Sequence, residues 1–274
     1  MVSLLSFGGW ITVSNIVSPI LVYVDRFVIG TLVSMAAVTW YVTPYEMVTK
    51  LGVLPGAIVM VLFPAFAECL SVAPARAALL FERGVKYILI ALFPVILFTV
   101  TMSHPGLAIW LGADFAAHGA RVLQWLALGV LINSVGHLPY ALIQASHRPD
   151  ITAKLHLVEV PFYLVLLRWL VRVDGVEGAA IVWTLRVAVD TVSLLIITGR
   201  IYPLAAPSIS GIFVMLFATV ATLTAGIFLP SGPTDIVFLL VTLIGFSAIA
   251  WLWLLSSDEK SVLRSGLKTI WALP

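Results

Sequence analysis

Charge is what this chain has least of. Only 10% of its 274 residues are Asp, Glu, Lys or Arg, where soluble domains carry about 25%. A soluble globular domain is thereby excluded, and with 61% hydrophobic residues and a mean hydropathy of +1.12 the solvent for most of the chain is a bilayer. The formal net charge is +2 and its basic residues are scattered, which excludes a nucleic-acid surface. Cysteine occurs once, at Cys69, so no intrachain disulfide can form. With no CxxC and no Cys/His cluster, the sequence offers no metal framework. Catalytic signatures are missing too: there is no GxSxG, Walker A or HExxH string, and the few His and acidic residues show no triad spacing. Neither an enzyme, nor a cofactor, nor an ATP-driven pump is expected. The N-terminal MVSLLSFGGW has no Lys or Arg before its apolar run, unlike a cleaved signal peptide, so the first span is expected to start almost at once.

What is present is a series of apolar runs of the length that crosses a hydrocarbon core of about 30 Å. Eight lie near 7–30, 36–68, 85–103, 120–145, 152–171, 176–198, 208–229 and 236–255. The second is unusually long, and Pro44, Gly52, Pro55, Gly56 and Pro64 within it predict kinks or broken turns. Basic residues alternate between the connections. Arg76, Arg83, Lys86, Arg148, Lys154, Arg200, Lys260, Arg264 and Lys268 fall on one side, whereas only Arg172 falls in a connection on the other. The positive-inside rule makes the first side cytoplasmic and places both termini there. Splitting the second run in two would destroy this alternation, which favours eight spans.

Charge inside the spans is uneven. From Ile201 to Ser257 the only charged residue is Asp235, so the last two spans read as peripheral and lipid-exposed. The first six hold Asp25, Arg26, Glu46, Lys50, Arg121, His137, Lys154, His156, Glu159, Arg168, Arg186 and Asp190. Several fall on helical stripes: Gly8, Thr12, Asn15, Pro19 and Arg26 on the first span; Thr39, Thr43, Glu46 and Lys50 on the second; Asn133, His137, Tyr140 and Gln144 on the fourth; Arg186, Asp190 and Ser193 on the sixth. Because an ionisable group in hydrocarbon costs at least a few kcal/mol, four such stripes predict a shared hydrated cavity. Plainer readings stand beside this one. Glu46 and Lys50 make an i,i+4 pair that neutralises itself, Asp25 and Arg26 lie near enough to a helix end to snorkel, His137 suits a packing role, Asp190 suits a counter-ion to Arg186 one turn away, and Arg168 and Arg172 suit interface anchors. The string WLGADF at 110–115 reads as an interfacial turn with aromatic anchors.

Four strings carry a family resemblance: FGGWITVSNIVSPILVYVDRFVIG, WYVTPYEMVTKLGVLPGAIVMVLFPAFAE, PYALIQASHRPDITAKLHLVEVPFYL and GVEGAAIVWTLRVAVD. Over about 7–200 the chain resembles the Wzx-type O-antigen flippases, the polysaccharide branch of the multidrug/oligosaccharidyl-lipid/polysaccharide exporter superfamily. The resemblance implies a bacterial inner-membrane transporter that moves an undecaprenyl-diphosphate-linked oligosaccharide between leaflets by alternating access of two six-helix lobes. It also implies that this chain supplies the second lobe (1–200) followed by two peripheral helices and a cytoplasmic tail (201–274). The expected fold is thus an all-α membrane protein of about eight helices, either a fragment or one that works with an N-terminal lobe or second chain. Arg and Lys dominate the polar positions, and guanidinium matches phosphate geometry. Arg26, Lys50 and Arg186 are therefore the expected diphosphate contacts, with Asp25, Glu46, Asn133, His137, Glu159 and Asp190 as cavity lining or counter-charge. Two other readings remain: a cation-coupled multidrug antiporter of the MATE class, for which an acid-rich cavity is expected, and a non-transporting subunit of a polysaccharide-export complex.

Overall fold

The computed structural model describes residues 2–229, 232–257 and 259–261, with side chains in the first helix described at Gly9 and Thr12 and from Pro19 onward. The side-chain positions of Gly8 and Asn15, and the tail residues Arg264 and Lys268, lie outside the described residues. Among the described residues every regular element is helical. The composition requires this, because backbone polar groups in hydrocarbon must be satisfied within their own segment.

The first helix, α1 (Val2–Leu32), is followed after a two-residue turn by α2 (Met35–Thr49), whose N-terminus is capped by the Ser34 hydroxyl accepting from the Ala37 amide at 3.0 Å. A 3-10 turn over Lys50–Gly52 joins α2 to α3 (Val53–Val72). The expected irregularity in the long second span is therefore this tightened turn, and the helix continues through it as a single candidate span of 38 residues. Next come α4 (Pro74–Thr101), the short α5 (Ser103–Leu111), α6 (Ala113–Ala145), α7 (Pro149–Ile201), α8 (Ala206–Ile227) and α9 (Pro233–Ile249). Among the described residues six segments are long and apolar enough to cross a membrane, α7 being counted among them as one 53-residue helix.

The helix α7 is two spans. Gly175 sits at φ 58°, ψ −130°, a combination that only glycine adopts readily, and the chain reverses there. Contacts on either side pair His156 with Asp190 and Glu159 with Arg186. A Cβ on Gly178 would lie 2.3 Å from the Leu170 carbonyl oxygen. The residue numbers of each pair sum to nearly the same value, as in an antiparallel hairpin. Dividing α7 at Gly175 turns the six candidate segments of the described residues into seven, among which α1 is not counted.

Residues Met1–Leu229 form one compact unit and Pro230–Pro274 a second. In the first, successive spans run up and down. Gln124 of α6 donates to the Val100 carbonyl at the end of α4, Arg121 donates to the Ile227 carbonyl at the end of α8, and Trp125 donates to Glu177 just after the α7 reversal. These groups share one end of the bundle. Leu70, Pro74, Leu142, Ile201 and Tyr202 line a small apolar pocket of about 110 Å³ at the other. The second unit contains α9, whose start is closed by the Gly232 amide donating to Asp235 at 3.1 Å, followed by a wide π-helical turn at Ala250–Leu254.

Helix α6 is the axis of the first unit, touching α2, α3, α4, α5, α7 and α8. Lipid is as apolar as leucine, so association depends on close fit and interhelical hydrogen bonds rather than on a hydrophobic drive. The interface with the second arm of α7 uses both. Gly129 and Gly136 let that arm approach so closely that an added Cβ would sit 2.4 Å from the Trp183 ring and 2.6 Å from the Thr191 hydroxyl, respectively. Beside them Thr184 donates to the Trp125 carbonyl at 2.8 Å and Thr191 to the Ile132 carbonyl at 3.2 Å. The repeat is seven residues on both helices, which therefore run parallel in register.

Candidate functional site: two polar groups facing α1, α2 and the α7 hairpin

The turn between α1 and α2 lays these helices antiparallel and splits the adjacent residues Asp25 and Arg26. Asp25 is fully buried and accepts from the Tyr41 hydroxyl, while its Oδ1 has no hydrogen-bond partner. It does not snorkel. Arg26 points elsewhere: its guanidinium lies 3.1 Å from Glu46 Oε1 and over the rings of Tyr23 and Tyr45, at 4.8 and 5.5 Å. Lys50 Nζ is 3.9 Å from the other carboxylate oxygen, Oε2. The i,i+4 pair read from the sequence is thus the weaker half of a three-membered chain, Arg26–Glu46–Lys50, in which Glu46 bridges two cations. This chain is on an open face. The Lys50 side chain is 78% exposed and that of Glu46 51%, against 23% for Arg26.

The second group belongs to α6 and α7. Arg186 extends from the second arm of α7 to within 3.8 Å of Glu159 on the first, with the Tyr163 ring 5.9 Å away. Asp190, one turn from Arg186 in sequence, takes a different partner, His156 at 3.6 Å. The reading of Asp190 as the counter-ion of Arg186 is therefore corrected: the hairpin register gives Arg186 to Glu159 and Asp190 to His156. All four side chains are largely buried. A cavity of about 290 Å³ opens beside them, with polar walls of Asn133, His137, Tyr140, His156, Arg186 and Asp190 and apolar walls from Leu21, Val22 and Leu194. One water needs only about 10–15 Å³ by this kind of measure, so the space has room for several waters against its polar walls. Asn133 lies 3.4 Å from His137, and the Tyr140 ring stacks on His156 with centroids 6.4 Å apart.

The fold places the residues singled out from the sequence in these two groups. Asn133, His137, Arg186 and Asp190 line one cavity, and Glu159 lies buried against it. Asp25, Arg26, Glu46 and Lys50 make the other group, and the α2 stripe does not reach the cavity. Tyr45 lies under the Arg26 guanidinium at 5.5 Å, and its ring meets Trp183 of the second arm of α7 edge-on at 5.6 Å. The ring partners Tyr23, Tyr41, Tyr45 and Tyr163 were missed in the sequence. For Tyr41 and Tyr45 the available signal was their i,i+4 spacing on the side of α2 away from the polar stripe. Two further polar side chains have structural tasks: Arg121 closes the end of α8 and lies over the Phe228 ring at 5.5 Å, and Gln144 donates to Thr152 at 3.0 Å across the α6–α7 turn.

The architecture is that of a multi-pass all-α membrane protein with ionisable side chains packed inside its helix bundle. Residues 1–119 match the family described as polysaccharide biosynthesis protein. Over 192 residues the chain is 36% identical to a Shigella flexneri protein named as a candidate O-antigen transporter; the aligned part is 69% of this chain and 44% of that protein. The chain thus spans less than half the length of that relative, and no solved structure matches it. By these two matches the chain is similar to polysaccharide-biosynthesis proteins over 1–119 and to a candidate O-antigen transporter over 192 residues, in line with the family its sequence resembles.

Proposed function

We propose that this chain forms one lobe of a flippase for lipid-linked oligosaccharides in a bacterial inner membrane, with both termini cytoplasmic, and that it acts as a transporter rather than an enzyme. The observation that carries the reading is the chain Lys50–Glu46–Arg26, which lies on an open face of the bundle in a relative of an O-antigen transporter. An ion chain facing lipid would be costly. Facing a second lobe across a wet passage, it offers guanidinium and ammonium groups to the diphosphate of the lipid carrier, with Glu46 holding both cations when the site is empty. Arg186 completes the site by exchanging Glu159 for the anion. The second lobe is an N-terminal half or a separate chain.

The test is oligosaccharide flipping in a complete two-lobe context, with protein level measured on the same membranes. Arg26→Ala and Arg186→Ala are expected to abolish flipping, and the Lys replacements to impair it, because a point charge does not reproduce the planar fork. Glu46→Gln alone strands two cations and separates no readings. Lys50→Gln alone leaves the Arg26–Glu46 pair at 3.1 Å in place; loss of flipping supports a ligand-binding Lys50, and normal flipping refutes it.

A further inference from the structure

Two acidic side chains and an imidazole lie close together between the arms of the α7 hairpin. Glu159 and Asp190 are 6% and 8% exposed, and only one guanidinium, Arg186, approaches them, at 3.8 Å from Glu159. Neither Glu159 oxygen has a hydrogen-bond partner, nor does Asp190 Oδ1. Unpartnered carboxylates at this depth are costly. The third member of the cluster is an imidazole. One ligand atom each from His156, Glu159 and Asp190 fall within 4.8 Å of one another, and the His156 Nε2 to Asp190 Oδ1 distance is 3.6 Å.

We propose that His156, Glu159 and Asp190 bind a divalent transition-metal ion of the zinc class, pinning the two arms of α7. The inference does not depend on the transport reading. One imidazole and two carboxylates suit zinc and its neighbours better than magnesium or calcium, which favour all-oxygen sets. Metal–ligand distances of about 2.0–2.2 Å make the edge of a tetrahedron about 3.4 Å. The His156–Asp190 separation nearly matches that edge already, and carboxylate rotation at Glu159 closes the rest. Three protein ligands leave a fourth position, and the adjoining cavity of about 290 Å³, which His156 and Asp190 line, supplies water to it. Sequence reading passed over this set because His156 and Glu159 form only an H-x-x-E pair, and the third ligand arrives 31 residues later, beyond the Gly175 reversal.

The test uses the purified full chain in detergent, stripped with a chelator and titrated with Zn²⁺ and Co²⁺. One zinc per chain is expected, with cobalt showing ligand-field absorption in the visible range. His156→Gln, Glu159→Gln and Asp190→Asn should each weaken binding by about 10- to 100-fold or more, while the combined His104→Ala, His118→Ala and His147→Ala chain should bind as the wild type does. Dye labelling of buried Cys69 during heating reports whether each variant is folded. X-ray absorption at the zinc edge of the wild-type chain needs no variant: one imidazole nitrogen with oxygen ligands supports the site, and two or more imidazoles overturn it. Absence of stoichiometric zinc, binding indifferent to all three substitutions, or sodium uptake in place of zinc also overturns it.

Discussion

Replacing Gly136 by alanine tests how the bundle holds its cavity. Gly136 lines that cavity and also the α6–α7 interface. The new Cβ would stand 2.6 Å from the Thr191 hydroxyl and 3.4 Å from its Cβ. Either the second arm of α7 retreats by several tenths of an ångström, or Thr191 rotates and releases the Ile132 carbonyl, which it now holds at 3.2 Å. Overpacking of this kind costs about 1–3 kcal/mol, and the lost interhelical hydrogen bond adds about 0.6 kcal/mol. Better helix propensity returns up to about 1 kcal/mol. The expected net loss is about 1–2 kcal/mol. Thr191→Ala removes the obstructing oxygen and by itself should cost only the hydrogen bond, about 0.6 kcal/mol. In the double variant the alanine fits, so the two penalties should not add, and a favourable coupling of about 1 kcal/mol is expected. Equilibrium unfolding in mixed micelles measures each corner of the cycle, with dye access to Cys69, 6% exposed when folded, as the reporter. Additive penalties, or a Gly136→Ala chain as stable as the wild type, would refute the close-approach argument.

Other perturbations follow from the same geometry. Single-cysteine labelling in a Cys69→Ala background should find positions beside Arg83 and Arg148 accessible from the cytoplasm and positions beside Asp114 and Asp235 from the periplasm; periplasmic labelling near Arg83 would overturn the proposed orientation. Arg121→Ala should uncap the end of α8 and lower the thermal midpoint, with a loss of about 1–3 kcal/mol for the stranded carbonyl and the missing charged donor, while the proposed flipping, assayed in a complete two-lobe context, is expected to be unchanged in folded protein. Finally, the 274-residue chain expressed without a second lobe should insert but fail to rescue a flippase-deficient strain, and rescue by a monomer would refute the two-lobe proposal.

Composition alone determined the solvent, and with it the helical class, because a backbone in hydrocarbon has no other way to satisfy its polar groups. The gap between the hydrophobic runs at 152–171 and 176–198 marked where the chain reverses, at Gly175, and Gly52 of the second run lies in the turn where that helix tightens. The candidate polar residues were also legible, since charge in a membrane span stands out against so apolar a background. Their partners were not. Helical spacing relates residues within one helix, so it matched Glu46 to Lys50 and Asp190 to Arg186, whereas the stronger or truer contacts run between helices: Arg26 to Glu46 across the α1–α2 turn, Glu159 to Arg186 and His156 to Asp190 across the α7 hairpin. Nor does spacing show whether a stripe faces an enclosed cavity or an open surface, which divides Asn133, His137, Arg186 and Asp190 from Glu46 and Lys50. Those distinctions depend on the register between helices, and register is set by where Gly129 and Gly136 admit Trp183, Thr184 and Thr191, a property of packed surfaces that no single helix contains.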